Sequence, residues 1–216
     1  MPTYNCAVIS DVGANLIIEE REIPALAAGE VLIMGAACGV CYGDIIAMKG
    51  HMPGIAYPRV PGHSMVGSVE AVGAGVQFTT VGTLVGVGWH HGQCSNCKKC
   101  RRGDLVRREN ALFTAIHSNA GYAEYMLAPW TGCAVLPEAK GPVNAAPLVC
   151  AGVTCFNAMR NQTCASPGGL IAIQRFGGLV KLGIQFAKKM GYRVAAISTS
   201  DAKQDLERQS FWRATA

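Results

Sequence analysis

Short apolar runs broken by glycine dominate the first two-thirds of the chain. Runs rich in valine and isoleucine occupy 30–40, 66–76 and 81–89, and the alternating run at 121–129 ends at a proline. Runs of this length with glycine or proline between them are typical of strands, and several in succession indicate a compact barrel. The pattern therefore predicts a β-barrel from the N-terminus to about residue 150.

The pattern changes near Pro147. In order, it predicts one or two helices at 145–161, a strand at 170–176, a helix at 177–191 and a strand at 192–200. A strand, a helix and a second strand form a βαβ unit, with which a dinucleotide-binding domain begins. Because a full domain of that kind has about six strands, we expect 151–216 to hold helices and a truncated Rossmann-like segment.

Composition narrows the classes of function. Half of the 216 residues are hydrophobic and 15% are charged, which suits a folded domain with a sizeable core. The N-terminus has no secretory pattern, and no apolar run is long enough to cross a bilayer, so we expect a cytoplasmic protein with no membrane partner. Ten cysteines in such a chain favour thiols and metal ligands over disulfides.

The net charge of +5 is concentrated in one basic stretch at 98–108. A nucleic-acid surface would combine such charges with interleaved aromatic residues, and none are present in this stretch. We therefore expect a solvated loop and no nucleic-acid partner.

The same part of the chain contains a cysteine-rich lobe at about 90–110. Cys94, Cys97 and Cys100 are each separated by two residues. A closed structural zinc site has four ligands, but the next cysteine, Cys133, lies well past the lobe. The run therefore indicates a zinc lobe that lacks one ligand.

Five segments occur in a fixed order: GVCYGD, VPGHSMVGSVEAVG, VGVGWHHGQCSNCKKCRRGD, GYAEYMLAP and APLVCAGVT. Together they resemble the zinc-dependent alcohol dehydrogenases of the medium-chain dehydrogenase/reductase superfamily. The resemblance extends to about Leu206 and implies a mixed α/β chain. A GroES-like β-barrel catalytic domain at 1–150 is expected, followed by a truncated Rossmann βαβ segment at 151–216.

The resemblance implies a catalytic zinc held by Cys41, His63 and Cys150, with Asp44 supporting the histidine. Two thiolates and an imidazole leave a fourth position open for water or substrate, and a carboxylate that orients the imidazole is a common outer partner. Taken singly, each ligand is equally well explained as a buried thiol or a core histidine.

In the same family, four cysteines of the lobe hold a structural zinc. The fourth position here is Arg108, which cannot act as a ligand and adds positive charge. We expect the lobe to be metal-free or weakly occupied, unless another side chain replaces the cysteine. The candidate replacements are His90, His91, Asp104 and Glu109.

The proton relay of the family is altered. Gly43 stands where the family has a threonine or serine that passes on the alcohol proton, and Ile46 stands where a histidine often continues the relay. Ser64 replaces the glutamate that follows the ligand histidine. We therefore expect the path for the alcohol proton to be absent.

The coenzyme fingerprint is altered as well. Its three glycine positions are occupied by Arg175, Gly177 and Val180. The run STSD at 198–201 matches the small hydroxyl residues of NADP-binding members, although an ordinary polar loop explains it equally well. We expect no bound NADP.

These observations predict an alcohol-dehydrogenase-like zinc protein that has lost its NAD(P)H-dependent redox function. The zinc is expected to act as a Lewis acid in a cyclisation, elimination, aldol-type step or hydration of a small organic substrate, such as a secondary metabolite. Candidate catalytic residues are His117 and Tyr42, and Trp89 is a candidate pocket wall.

Two alternatives stay open at this point. One is an NADPH-dependent zinc alcohol dehydrogenase or reductase that is rescued by oligomerisation, and the other is a non-catalytic truncated remnant or binding module. Unpaired sheet edges in the βαβ segment favour a homodimer.

Overall fold

The computed structural model describes residues 2–161, 166–174 and 177–197. The chain divides into two compact units, Met1–Val149 and Cys150–Ala216. Two features noted in the sequence lie outside the described residues: Arg175 of the coenzyme fingerprint and the polar run at 198–201.

The described part of the first unit contains seven strands. They are β1 (Thr3–Ile9), β2 (Leu16–Glu22), β3 (Glu30–Cys38), β4 (Met65–Val72), β5 (Leu84–Val87), β6 (Tyr125–Pro129) and β7 (Cys133–Val135). Five of them form an antiparallel sheet in the order β6-β3-β4-β5-β7, and β1 pairs with β2 in a separate antiparallel hairpin.

The four runs predicted as strands overlap β3, β4, β5 and β6. The β1–β2 hairpin was not predicted, because most side chains of β2 are exposed and its sequence lacks a clear apolar alternation. One face of the five-stranded sheet provides the main core, which consists of Val31, Ile33, Met65, Val69, Val85, Val87, Met126 and Ala128.

The helices of the first unit are short. They are α1 (Tyr42–Met48), α2 (Lys98–Arg101) and α3 (Pro142–Ala145), with single 3-10 turns at Leu105–Arg107, Trp130–Gly132, Glu138–Lys140 and Ala146–Val149. Cys41 precedes α1 in an extended conformation, and Gly50 follows the helix at a φ of +64°, which favours glycine. The chain thus makes one brief helical excursion between β3 and β4.

The second unit contains α4 (Ala151–Asn161), β8 (Leu170–Gln174), α5 (Gly178–Lys189) and β9 (Arg193–Ile197). Strands β8 and β9 are parallel, so the predicted βαβ unit is confirmed. Helix α5 buries residues at helical spacing, namely Val180, Gly183, Ile184 and Ala187.

Within the described ranges, no single helix has the length and apolar character needed to cross a membrane. Pro142–Val149 and Ala151–Asn161 reach that length only when they are counted as a broken pair.

Candidate metal centre

The pairing of β3 with β4 brings two potential ligands together. Cys38 at the end of β3 pairs with Met65 at the start of β4. Just beyond this pair, the backbone N–H of Gly39 donates to the carbonyl of Ser64 at 2.9 Å. Cys41 follows β3 and His63 precedes β4, so both side chains extend from the same end of the strand pair.

The donor atoms of Cys41, His63 and Cys150 all lie within 4.8 Å of one another. Cys150 directly follows Val149, the last residue of the first unit. His63 is buried, and the two cysteines are half-buried. Two sulfurs and an imidazole nitrogen at this spacing fit the ligand set of a zinc site with an open fourth position.

Asp44 holds the imidazole of His63. Its Oδ1 lies 2.9 Å from Nδ1 of His63 and also accepts from the backbone N–H of Gly62 at 3.2 Å. Its Oδ2 accepts from the backbone N–H of Cys41 at 2.9 Å and from the hydroxyl of Tyr122 at 2.8 Å. One buried carboxylate therefore orients the histidine and fixes the backbone next to Cys41.

The hydrogen bonds to Asp44 keep it ionised. Burial alone would raise the pKa of Asp44, but bonds from His63, from the Cys41 backbone and from Tyr122 outweigh this effect and hold the pKa below its ordinary value. Burial, followed by the neighbouring Asp44, raises the pKa of Tyr122. At neutral pH the pair is therefore a carboxylate acceptor and a neutral phenol donor.

Sequence reasoning missed Tyr122. Its hydroxyl reaches Asp44 across 78 positions of sequence, so no local pattern could have found it. The bond from Cys41 to Asp44 did have a signal, because an acidic residue three positions after a helix start often accepts from the backbone there.

The His63 ring is enclosed on two sides. The ring of Trp89 meets it edge to face, with ring centroids 4.9 Å apart. A Cβ atom added at Gly43 would lie 2.6 Å from Cε1 of His63 and 3.3 Å from Cζ3 of Trp89. The absence of a side chain at position 43 is therefore what allows the imidazole to approach α1 so closely.

We expect Asp44→Asn to weaken zinc binding by about 10- to 100-fold, the usual effect of losing an outer carboxylate partner. The carboxylate accepts from four donors, and an amide would direct its NH₂ group at one or more of them. Competition with a chromophoric chelator measures the change in zinc affinity.

Tyr122→Phe is the matched control, because it removes one of the four donors and leaves the carboxylate and its bond to His63 in place. We expect its zinc affinity to change by less than about 10-fold. Equal affinities for wild type and Asp44→Asn would show that Asp44 does not orient the ligand.

The two predicted catalytic residues lie in different surroundings. Tyr42 begins α1 and is 80% exposed. His117 is exposed, and its Nδ1 accepts from the backbone N–H of Phe113 at 3.0 Å. Among the described residues, the group of metal-ligating atoms around His63 does not include His117. Their catalytic roles stay predictions.

The cysteine lobe brings its three sulfurs together. Cys94, Cys97 and Cys100 offer Sγ atoms within 4.8 Å of one another, and the Cys94–Cys100 distance is 3.7 Å. Cys97 precedes α2 and accepts from the backbone N–H of Cys100 at 3.4 Å. Hydrogen bonds from the backbone of Cys100 and then of Glu109 lower the pKa of Cys97 to about 7.

Arg108, at the position of the missing fourth cysteine, is buried with 4% of its surface exposed. Nη1 donates to the carbonyl of Leu105 and to Nδ1 of His90, both at 3.1 Å, and Nη2 donates to the carbonyl of Leu112 at 2.6 Å. Burial, and then the charge of Arg108, lower the pKa of His90, which suits an unprotonated Nδ1 as acceptor. The guanidinium thus bonds to the surrounding chain.

Comparisons with known proteins match nearly the whole chain. The family model of the alcohol dehydrogenase GroES-like domain matches residues 27–138. The alcohol dehydrogenase patD of Penicillium expansum is 39% identical over 207 residues, which cover 96% of this chain and 60% of the relative. An alcohol dehydrogenase of Geobacillus stearothermophilus is 39% identical over 201 residues, which cover 93% of this chain and 59% of the relative.

The fold also matches a solved structure, that of a thermostable alcohol dehydrogenase from Pyrobaculum aerophilum with bound cobalt and zinc. The two agree with a TM-score of 0.87 and 30% identity, over 100% of this chain and 64% of the other. The GroES-like fold expected from the sequence is confirmed. The chain spans about 60% of the length of the relatives that it matches.

Proposed function

Because the chain belongs to the zinc-dependent alcohol dehydrogenases of the medium-chain dehydrogenase/reductase superfamily, we propose that Cys41, His63 and Cys150 hold zinc for a reaction without a nicotinamide coenzyme. The reaction is a cyclisation, elimination, aldol-type step or hydration of a small organic substrate. Zinc held by three protein ligands supplies Lewis-acid chemistry at a carbonyl oxygen or at water.

The donor set supports zinc over hard cations. Sulfur and imidazole nitrogen suit zinc, whereas magnesium and calcium take oxygen ligands. Asp44 lies against Nδ1 of His63, so Nε2 is the ring nitrogen that we assign to the metal. Cys41, His63 and Cys150 would hold zinc with one position left for the substrate oxygen, and Trp89 shields the imidazole on one side.

Gly43 is the observation that carries the non-redox assignment. The family has a threonine or serine at this position, whose hydroxyl passes on the alcohol proton. Gly43 has no hydroxyl, and a Cβ atom added there would come within 2.6 Å of the His63 ring. A dehydrogenase must move a proton from the alcohol oxygen as hydride leaves, whereas Lewis-acid activation of a carbonyl needs neither that path nor a hydride donor.

A nicotinamide-dependent alcohol dehydrogenase is the second candidate. It is favoured by the relatives and by the parallel β8–α5–β9 unit, in which Gly177 precedes the helix. Val180 weakens this candidate, because a buried valine occupies the third glycine position of the fingerprint. That position normally allows close packing of helix on strand.

Oxygen exchange tests the proposal without knowledge of the natural substrate. Zinc-loaded protein is incubated with a panel of aldehydes and ketones in ¹⁸O-labelled water without coenzyme, and mass spectrometry follows label entering the carbonyl. We expect the zinc-loaded protein to accelerate exchange by at least about 10-fold over the zinc-free protein for one class of carbonyl compound. Cys41→Ala is expected to lose the acceleration.

The same samples with NADPH distinguish the two candidates. Formation of alcohol that consumes NADPH would overturn the non-redox assignment in favour of the second candidate. Exchange rates that are equal with and without zinc across the panel would also contradict the proposal.

A further inference from the structure

The cysteine lobe does not fit a closed zinc site. Such a site needs four ligands, and the fourth position is taken by Arg108, whose side chain donates to carbonyls and to His90. His91 is also engaged, because its Nδ1 lies 3.2 Å from the hydroxyl of Ser118. Among the described residues, the group of ligating atoms at the lobe contains three sulfurs and no histidine or carboxylate.

The three sulfurs are nevertheless arranged around one centre. In a three-coordinate thiolate complex with metal–sulfur bonds of about 2.3 Å, the sulfurs lie about 4 Å apart. The Cys94–Cys100 pair is already at 3.7 Å, and all three Sγ atoms lie within 4.8 Å of one another. A small shift of the half-buried Cys97 and the exposed Cys94 is enough to close such a complex.

The charge of the lobe favours a monovalent ion over a divalent one. Three thiolates around a monovalent ion leave an excess of two negative charges, whereas a divalent ion leaves one. The segment 98–108, which contains Cys100, carries six lysines and arginines and one aspartate. Net positive charge on the same segment stabilises the more negative complex to a greater degree.

We propose that Cys94, Cys97 and Cys100 form a three-thiolate site for a soft monovalent cation, copper(I), in preference to zinc(II). Thiolate ligands select copper(I) by softness, and copper(I) is coordinatively satisfied by three of them. Zinc(II) at the same site needs a fourth ligand from solvent.

Anaerobic titration with copper(I) against a chromophoric copper(I) chelator tests the proposal. The titrations use the Cys41→Ala background, so that the candidate centre does not compete for the metal. We expect the protein to bind one copper(I) tightly. Cys97→Ser should lower the copper(I) affinity by about 100-fold or more, because it removes one soft ligand. X-ray absorption should give three sulfur neighbours and no oxygen or nitrogen.

Cys133→Ser is the control, because burial raises the pKa of this thiol to about 12 and it lies outside the lobe. It should leave copper(I) binding unchanged. Arg108→Cys, which restores four thiolates, should gain zinc and give the absorption of tetrahedral cobalt(II). If Arg108→Cys does not fold, the copper(I) affinity of Cys97→Ser relative to that of its Cys41→Ala parent still tests the three-thiolate site.

Two results would overturn the proposal. One is tetrahedral cobalt(II) or zinc bound in the lobe with Arg108 present, dependent on Cys97 and not displaced by copper(I). The other is copper(I) affinity that Cys97→Ser leaves unchanged.

Discussion

We expect replacement of Cys41 with alanine to abolish tight zinc binding at the candidate centre. The variant keeps two of the three clustered donors, His63 and Cys150. Catalytic zinc sites use three protein ligands, so two are too few. We expect the affinity to fall by at least about 1000-fold, which corresponds to roughly 4 kcal/mol. This is the largest effect on metal binding that a single substitution in the centre should produce.

Cobalt(II) substitution measures this loss directly, through the thiolate-to-cobalt charge-transfer absorption. Thermal unfolding gives a second readout, since a ligand at 100 times its dissociation constant stabilises the native state by about 2.7 kcal/mol. Zinc should therefore raise the melting temperature of the wild type and leave that of Cys41→Ala unchanged.

Cys38→Ala is the matched control. This thiol lies three positions earlier, at the end of β3, and burial raises its pKa to about 12, so it is protonated and inert at neutral pH. The variant should bind zinc as the wild type does. A wild-type zinc affinity in Cys41→Ala would contradict the assignment of the centre.

The candidate ligand set was predicted from the sequence, and its surroundings were not. Cys41, Asp44 and His63 belong to short motifs whose resemblance to a family suggested a zinc site, although each residue taken singly had another explanation. The bond from Tyr122 to Asp44 and the fit of His63 against Gly43 depend on how distant segments pack. Contacts of that kind leave no periodic or local trace.

The same distinction holds for the fold. The apolar runs that became β3 to β6 bury one face of a sheet, and burial of this kind produces the pattern that predicts a strand. The exposed strand β2 and the seven-residue helix α1 bury few side chains and were missed. Strand β1 was also missed, although it buries Tyr4, Cys6, Val8 and Ile9, because polar residues interrupt its short apolar run.

Arg108 shows where sequence reasoning about the lobe stopped. The resemblance to the family indicated that an arginine stands in place of a cysteine and adds positive charge there. It could not establish the direction of a long side chain, and the structure turns the guanidinium toward His90 and two carbonyls. The residue that removes a metal ligand thus contributes hydrogen bonds of its own.

Replacing Arg108 with alanine should therefore destabilise the protein by about 2–4 kcal/mol. The substitution leaves the carbonyls of Leu105 and Leu112 without this donor, at about 1–3 kcal/mol for each that stays buried, and it empties space in a buried site. Relief of a buried charge offsets part of the cost. Urea unfolding measures the net change in the free energy of unfolding.

Arg107→Ala provides the comparison. The side chain of Arg107 is 78% exposed, and its Nη1 lies 3.6 Å from Oδ2 of Asp104, which makes a loose ion pair. An exposed pair of this kind is worth about 0–1 kcal/mol, so this variant should unfold almost as the wild type does. Equal stabilities for the two variants would mean that the bonds of Arg108 do not hold the lobe. A large difference between them would show that one arginine stabilises a segment that a zinc ion organises in the family.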